Sequence, residues 1–276
     1  PGGERGLYKS VDGGASWSCA LAKGEFTGCT DVALDPRDPD VVYAALHQRH
    51  RTAWALLNGG PESGVHKSVD GGATWTELHG GLPGDDKGKI GLAISPQEPD
   101  VIYATIELAG RKGGFWRSAN GGASWKKMSD YVGGGTGPHY YQELFPDPHR
   151  FDSLYQANVV LGRSDDGGAT WQGVGSDAKH VDNHAVAFHP QDPDFVLVGC
   201  DGGLYVSRDR CKTYQFFANL PLTQFYKVDV DYDWPVWHVV GGTQDNATQY
   251  GPAFTLDRHG VCNDDWRVLI GGDGHD

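Results

Sequence analysis

The sequence predicts an all-β protein, specifically a β-propeller built from four-stranded antiparallel blades. An eight-residue segment recurs at spacings of 58, 50, 46 and 43 residues, and one propeller blade occupies roughly 40–50 residues. The stretches between the copies consist of short apolar runs interrupted by Gly, Pro, Asp and Asn, which is typical of strands and turns. No stretch shows the sustained apolar period of a helix.

The recurring segment, called the octet below, starts with Ser and ends with an aromatic residue. Its copies are Ser10–Trp17, Ser68–Trp75, Ser118–Trp125, Ser164–Trp171 and the degraded Ser207–Tyr214. An Asp-Gly pair between two strands favours a tight hairpin, because Gly accepts positive φ and the carboxylate accepts hydrogen bonds from turn N–H groups. The final Trp is expected to bury its ring beside the hairpin. A structural role is therefore predicted for Asp12, Trp17, Asp70, Trp75, Asn120, Trp125, Asp166, Trp171 and Asp209.

A Pro-containing segment, called the joint below, precedes most octets. Its copies are Asp35–Tyr43, Ser95–Tyr103, His189–Leu197 and the looser Asp147–Tyr155. Pro removes a ladder donor and fixes φ, so each joint predicts a strand, a turn and a second strand. In each blade we expect strand A to end at the first Pro and strand B to occupy the apolar run of the joint. Strand C then leads into the octet, and strand D carries its Trp.

Residues 1–276 are expected to form a single partial propeller domain. Residues 1–20 supply strands C and D of an opening blade, four blades with octets follow, and residues 225–270 predict a further blade without one. Residues 271–276 are expected to start another strand A. The chain opens on Pro-Gly-Gly-Glu-Arg without Met. We therefore interpret it as a fragment with about five to six blades of a longer propeller, whose signal peptide lies outside it.

The composition excludes several classes of function. A formal net charge of −13 opposes binding to the phosphate backbone of nucleic acids. No apolar run reaches the ~18 residues of a membrane span. The five cysteines form no Cys-x-x-Cys pair, so no structural zinc is predicted, and no other metal or cofactor is assigned. Cys19 and Cys29 are close enough in sequence to bridge a loop, and free buried thiols are an equal alternative.

The octets and joints resemble those of the Asp-box (BNR) repeat superfamily, which includes sialidases, xyloglucanase-type glycosidases and sortilin-type receptors. Outside the repeats, the chain is similar to large secreted bacterial proteins with sortilin-like repeats, often labelled BNR-repeat glycosyl hydrolases. The segments that carry this likeness are Gln48–Trp54, His180–His184, Gly203–Ser207, Leu220–Tyr226, Gly241–Asn246 and Gly271–Gly274. The resemblance covers nearly the whole chain and implies a secreted or periplasmic protein.

The residues that break the repeats are expected on one face of the propeller. Strand A lines the central channel of such a fold, and the joints and octets share one face, so function is predicted on the opposite rim. Asp182 lies at the start of a strand A, and Asp201 and Asp245 follow the strands B of successive blades. By the family's pattern, Asp273 starts a later strand A. Four carboxylates are therefore expected to converge on this rim.

Asp182, Asp245 and Asp273 are the predicted catalytic residues if the rim performs chemistry. Asp201 and Asp273 have a plainer alternative, in which they only form turns. Long insertions on the same face and polar groups near the carboxylates are predicted to bind a ligand. These residues are Arg49, Arg51, Trp54, His139, Tyr140, Tyr141, His180, His184, Asp201, Gln224, Tyr226, Gln244 and Asn246.

Three functions are open for the rim. In the first, which we favour, it binds a peptide, a glycan or a further domain of the same protein without chemistry, as the sortilin-like resemblance implies. In the second, two aspartates about 5–10 Å apart hydrolyse a glycosidic bond, with the rim aromatics as sugar platforms. In the third, His180, Asp182 and His184 bind a divalent metal, but alternate strand residues stand about 7 Å apart, too far for all three to share one ion. A sialidase is disfavoured because the Arg-Ile-Pro motif is absent.

Overall fold

The computed structural model describes residues 4–84, 86–133, 142–175, 177, 179–220 and 222–274. These residues form an all-β structure, as predicted, and the helical segments among them are two 3-10 turns, Ala109–Arg111 and Asn263–Asp265. No helix in the described ranges is long and apolar enough to cross a membrane. Cys19 and Cys29 are free thiols, so they form no disulfide.

Within the described residues, six antiparallel sheets, called blades 1–6, follow one another along the chain. Blade 1 contains β1 (Leu7–Lys9) and β2 (Ser18–Leu21). Blade 2 contains β3 (Thr27–Leu34), β4 (Val42–Arg51), β6 (Gly64–Ser68) and β7 (Thr76–Leu78), with β5 (Leu56–Asn58) paired to the far end of β4. Blade 3 contains β8 (Lys87–Ile94), β9 (Ile102–Leu108), β10 (Lys112–Ser118) and β11 (Lys126–Ser129).

The last three blades follow the same order. Blade 4 contains β12 (Leu144–Pro146), β13 (Leu154–Gln156), β14 (Gly162–Ser164) and β15 (Gln172–Gly173). Blade 5 contains β16 (Asn183–Phe188), β17 (Val196–Cys200), β18 (Gly203–Ser207) and β19 (Gln215–Phe216). Blade 6 contains β20 (Phe225–Val230), β21 (His238–Thr243), β22 (Thr248–Pro252) and β23 (Arg267–Ile270). Blades 2–6 therefore each pair four strands in chain order, which is the blade arrangement of the predicted propeller.

The joints produce the strand boundaries that were expected of them. Strands β3, β8 and β16 end at Leu34, Ile94 and Phe188, each two residues before the first Pro of the joint. The following strands pair back on them antiparallel, as in the Ile94–Ile102 pair of blade 3. Residues 225–270 form the predicted blade without an octet.

The octets fold into a turn that is closed by their own side chains. In blade 2, the Asp70 carboxylate accepts hydrogen bonds from Thr74 N–H at 2.8 Å, the Thr74 hydroxyl at 2.6 Å and the Ser68 hydroxyl at 2.7 Å. Gly72 donates its N–H to Ser68 Oγ at 2.8 Å, and its carbonyl accepts the indole N–H of Trp75 at 3.1 Å. This last bond keeps Trp75 in the turn. The expectation that strand D carries the Trp is therefore wrong by one residue, because β7 starts directly after it.

The octet carboxylates are kept ionised by these bonds. The hydrogen bonds from Thr74 hold the pKa of Asp70 at about 2. The degraded octet keeps the same turn with Arg210 and Cys211 at φ 58° and 64°, where the other copies have Gly. Such backbone angles are strained for residues with a side chain. The turn is thus formed even against a conformational cost, which supports a structural role for the octets.

A basic residue directly before the octet couples four blades to their successors. Lys9, Lys67, Arg117 and Arg163 hold this position. Lys67 donates to the Gly121 carbonyl in the octet of blade 3 at 2.9 Å, and Arg163 donates to the Arg210 carbonyl in the octet of blade 5 at 3.1 Å. In blade 5 the same position holds Val206, and blade 6 has no octet. This coupling therefore stops between blades 5 and 6.

The apolar core lies between neighbouring blades. In the cluster between blades 2 and 3, Trp125 packs with Tyr43, Ile90 and Ile106 and is 6% exposed. Trp17 is 63% exposed, contrary to the burial expected of octet Trp residues, because the described residues provide no neighbouring blade on its side of blade 1. None of the four clusters found in the described residues includes a residue of blade 6. Blades 5 and 6 thus meet without a dry core.

The last described residues, 271–274, contact the β21–β22 turn of blade 6. Residues 271–274 form no strand, and residues 275 and 276 lie outside the described ranges. The Gly272 carbonyl accepts the N–H of Ala247 at 2.9 Å, and Gly274 donates to the Thr243 carbonyl at 2.9 Å. The segment is therefore held against the β21–β22 turn of blade 6, as Asn183 at the start of β16 is held by the Asn158 carbonyl of blade 4 at 2.9 Å. The strand A expected from residues 271–276 stays a prediction.

Replacing the buried indole at blade 3 tests the inter-blade packing. Trp125→Ala is expected to lower the free energy of unfolding by about 3–5 kcal/mol, because it leaves a cavity between blades 2 and 3. Trp17→Ala, in the exposed octet of blade 1, is expected to change it by less than about 0.5 kcal/mol. Guanidinium unfolding followed by far-UV circular dichroism measures both. Equal losses in the two variants would contradict this account.

Replacing an octet aspartate tests the turn chemistry. Asp70→Ala is expected to lower the urea midpoint near neutral pH more than Asp70→Asn, because Asn keeps an acceptor oxygen. The chain holds a natural precedent, since Asn120 accepts the Ser124 N–H at 2.8 Å and donates to Ser124 Oγ at 2.9 Å.

The same variants predict a pH dependence. The folded-state pKa of Asp70, about 2, lies below its ordinary value of 3.8. Its charge-dependent stabilisation is therefore complete above about pH 4 and is lost as the pH falls towards about 2. The stability difference between the wild-type protein and Asp70→Asn should shrink over that range in urea titrations at several pH values. A difference independent of pH would argue against an ionised Asp70.

Candidate functional site

Four aspartates meet where the turns of blades 5 and 6 approach each other, on the face opposite the octets. Asp182 precedes β16 and Asp201 follows β17, while Asp245 follows β21 and Asp273 follows β23. These four residues are called the carboxylate cluster below. Asp182 and Asp245 have φ of 61° and 57°, a region that Asp adopts more readily than most residues with a side chain.

Hydrogen bonds between the turns hold the cluster together. Within blade 5, Asp201 donates its N–H to the Asp182 carbonyl at 3.1 Å. Within blade 6, Asp245 donates its N–H to Asp273 Oδ1 at 2.9 Å. The two blades are joined by Asn246, whose side-chain amide donates to the Asp201 carbonyl at 2.8 Å. The structure thus brings Asp182, Asp201, Asp245 and Asp273 together, as the sequence predicts.

The crowding of carboxyl groups changes the acidity of Asp245. Burial raises its pKa, and so do a side-chain hydrogen bond with Asp201 and the charges of Asp273, Asp201 and Asp182. Two carboxyl groups in hydrogen-bonding contact share a proton, because ionising both would place two negative charges side by side. Asp245 therefore has the character of a proton donor.

The two histidines of the predicted trio differ in their surroundings. His184 Nε2 lies 2.8 Å from Asp201 Oδ1, so the imidazole is in direct contact with the carboxylate cluster. His180 Nδ1 lies 3.0 Å from the carbonyl of Val181. The metal hypothesis treats His180, Asp182 and His184 as alternate residues of one strand. Because β16 starts only at Asn183, His180 and Asp182 lie outside the strand, and that assumption is wrong.

The metal hypothesis is not supported by the positions of His180, Asp182 and His184. In the described part of the chain, the group whose ligand atoms lie within 4.8 Å of one another is Asp231, Asp233 and His238, at the other end of blade 6. His180, Asp182 and His184 do not form such a group.

A cavity of about 730 Å³ opens beside the carboxylate cluster, between blades 5 and 6. Its polar wall includes four residues predicted from the sequence, namely Asp201, Gln224, Gln244 and Asn246. Its apolar wall includes Phe216, Leu220 and Leu222, which sequence reasoning missed. The sequence did contain a signal for an apolar wall, since Leu220 and Leu222 lie between β19 and β20, on the face where function is predicted. Tyr226 lies in β20, outside this lining.

The remaining predicted ligand residues lie elsewhere. Arg49 and Arg51 are in the part of β4 that extends beyond blade 2 and pairs with β5. Trp54, in the turn of that hairpin, is 87% exposed. Blades 3 and 4 separate this hairpin from the cluster along the chain. The predicted residues His139, Tyr140 and Tyr141 lie outside the described ranges.

Two curated proteins similar to this chain are named xyloglucanases. No family model matches the chain. A xyloglucanase of Hypocrea jecorina is 34% identical over 128 residues, which are 44% of this chain and 13% of that protein. A xyloglucanase of Paenibacillus sp. is 28% identical over 242 residues, which are 73% of this chain and 21% of that protein. The chain thus spans only about a fifth or less of the length of these curated relatives.

Solved structures support the fold. The crystal structure of an ancestral GH74 enzyme aligns with 97% of this chain and 36% of its own, at a TM-score of 0.58 and 17% identity. The GH74 enzyme of Niastella koreensis aligns with 90% of this chain and 40% of its own, at 0.58 and 18%. The xyloglucanase relatives favour the glycoside hydrolase alternative over the purely binding module that we favoured from the sequence.

Removing a neighbouring charge tests the coupling inside the cluster. Asp201→Asn is expected to lower the pKa of Asp245 towards its ordinary value, because it removes one of the charges that oppose ionisation. Asp233→Asn, at the other end of the same blade, should leave it unchanged. Carboxyl ¹³C NMR titration of the protein follows Asp245 directly. An Asp245 titration that is the same in both variants would contradict the proton-sharing contact.

Proposed function

We propose that this chain is part of a glycoside hydrolase that acts on a xyloglucan-type polysaccharide at the carboxylate cluster. The observation that carries the proposal is the meeting of four aspartates from two blades beside an open cavity. The xyloglucanase names of the curated relatives support the substrate class. We also assign the octets to the Asp-box type and the protein to a secreted or periplasmic location, as their resemblance implies.

Asp245 is proposed as the general acid. A glycosidic bond is cleaved when one carboxylic acid protonates the leaving oxygen and a second, ionised carboxylate acts from about 5–10 Å away, as a base or as the nucleophile. The raised pKa of Asp245 suits the first role, because the group retains its proton to higher pH than an ordinary Asp.

Asp201 is proposed to position the proton on Asp245. Its contact with Asp245 is direct, so no space remains between the two for a sugar ring and a water molecule. The imidazole of His184, 2.8 Å from Asp201 Oδ1, holds the Asp201 side chain in place from the other side. Because burial and the neighbouring charges raise the pKa of Asp245, the proton of the pair is assigned to Asp245. The second catalytic carboxylate is then Asp182 or Asp273.

The cavity is suited to a neutral sugar. Phe216, Leu220 and Leu222 offer apolar surface to the C–H faces of a pyranose ring, while Gln224 and Gln244 offer amide groups to its hydroxyls. The net charge of −13 disfavours polyanionic ligands and leaves neutral glycans unaffected. Exposed Trp54, on the hairpin of blade 2, is proposed as a further sugar platform.

A binding module without chemistry remains the second candidate. The observation in its favour is the cavity itself, whose apolar wall can hold a peptide or glycan without any role for the carboxylates. Such a module would bind its ligand equally well after Asp245→Asn.

Turnover of xyloglucan by the full-length protein tests the proposal. Asp245→Asn is expected to reduce the release of reducing ends by at least about 100-fold, because the acid is lost while the amide keeps its shape. Its melting temperature should not fall, since the substitution removes a carboxyl group crowded by three others.

Asp166→Asn provides the matched control, because it makes the same chemical change in an octet outside the cluster and should leave turnover intact. Tight xyloglucan binding without turnover in the wild-type protein would favour the binding module. Full activity of Asp245→Asn would exclude Asp245 as the acid.

A further inference from the structure

The turn between β20 and β21 exposes aromatic rings at the end of blade 6 that lies opposite the carboxylate cluster. Tyr232 is 82% exposed, Trp234 is 92% exposed and Trp237 is 42% exposed. In the joints of blades 2, 3 and 5, the same turn carries the polar pairs Arg37-Asp38, Gln97-Glu98 and Gln191-Asp192. The corresponding turn of blade 4 carries one exposed apolar ring, Phe151 at 46% exposed, so among the described turns the group of three exposed rings is particular to blade 6.

This turn is held in one shape by Asp231. The Asp231 carboxylate accepts hydrogen bonds from the N–H of His238 at 2.8 Å, the N–H of Asp233 at 3.1 Å and the hydroxyl of Tyr250 at 2.8 Å. His238 Nδ1 lies 2.8 Å from the same carboxylate, and its ring stacks on Tyr250 at a centroid distance of 4.8 Å. The exposed rings therefore project from a fixed scaffold.

A fixed turn that leaves large aromatic rings in water is typical of a binding surface. Rigid aromatic side chains provide contact area at low cost in conformational entropy, and exposed apolar patches mark interaction sites. We propose that Tyr232, Trp234 and Trp237 form a second carbohydrate-binding surface that holds a neutral polysaccharide chain. The choice of ligand class rests on the proposed function.

The chemistry around the rings favours a neutral glycan. Residues 231–238 contain no Lys or Arg, and Asp233 is exposed beside Trp234, so a polyanion would be repelled. A protein partner that covered the rings would have to desolvate the Asp233 carboxylate at its centre. A sugar chain stacks its C–H faces on separate rings and donates hydroxyl groups to that carboxylate, which stays hydrated.

The distance to the carboxylate cluster gives the surface a specific role. The six residues of β21, at about 3.3 Å per residue, separate this turn from Asp245 by roughly 20 Å. A long polysaccharide can contact both ends of blade 6, whereas a short oligosaccharide in the cavity cannot. The surface is therefore expected to retain the protein on polymer without affecting the turnover of oligosaccharides.

Affinity electrophoresis of the full-length protein in gels containing xyloglucan tests the proposal. Trp234→Ala and the double variant Tyr232→Ala/Trp234→Ala are expected to weaken retention about tenfold or more, as for central aromatic anchors. Phe151→Ala, which removes an exposed ring (46% exposed) from the corresponding turn of blade 4, is the matched control and should be retained normally. Hydrolysis of short xyloglucan oligosaccharides by the Trp234 variant should be unchanged, which also shows that it is folded.

The outcomes separate this inference from the proposed hydrolase. Unchanged retention of both Trp234 variants would overturn the inference. It would also be overturned if xyloglucan did not retain the wild-type protein and a protein ligand bound to it through Trp234. Retention that depends on Trp234 would support the surface even if the wild-type protein showed no turnover, a result that would count against the hydrolase alone. If turnover depends on Asp245 but retention does not depend on Trp234, the proposed hydrolase is supported and the second carbohydrate-binding surface is rejected.

Discussion

The hydrogen bond from a basic side chain at the end of strand C to the next blade is the contact on which the scaffold depends. The octet makes this bond available, because the side chains of Ser and of Asp or Asn satisfy the N–H groups of the turn. A Gly carbonyl is left to accept from outside, as Gly121 accepts from Lys67. The octet Trp then fills the space between the blades. One short segment therefore closes a hairpin, sets its position against a neighbour and supplies part of the apolar core.

The joints tie together the same face of the molecule. Arg37 in blade 2 binds Asp100 in blade 3 at 2.8 Å, and Gln97 in blade 3 donates to the Asp147 carbonyl in blade 4 at 2.8 Å. Polar groups on this face are thus engaged by the scaffold. The contrast between two aspartates shows the consequence, because turn hydrogen bonds lower the pKa of Asp70 whereas burial and like charges raise that of Asp245. Aspartates thus stabilise the turns on the octet face, whereas on the opposite face their carboxylates repel one another.

The candidate site lies where the repeat fails. Between blades 5 and 6 the basic residue is replaced by Val206, the receiving octet is absent and no apolar cluster of the described residues bridges the blades. The interface is held instead at the rim, by Asn246 on the Asp201 carbonyl. The loss of dry packing opens the cavity, and the rim contact brings the carboxyl groups of the two blades together. The candidate site therefore lies at a junction where the repeat is lost.

The sequence by itself determined the blades, their boundaries and the face on which function was to be sought. These features depend on short segments. An octet satisfies its own hydrogen bonds within eight residues, and the first Pro of a joint ends strand A. The meeting of Asp182, Asp201, Asp245 and Asp273 was also predictable, since the turns that carry them must share one end of the blades.

Only the tertiary structure decided which of these groups touch and what surrounds them. The packing of the blades decides the contact of Asp201 with Asp245 and the leucine wall of the cavity. It also decides the exposure of Trp17. Packing joins residues far apart in the chain, and the local pattern of strands and turns does not specify it.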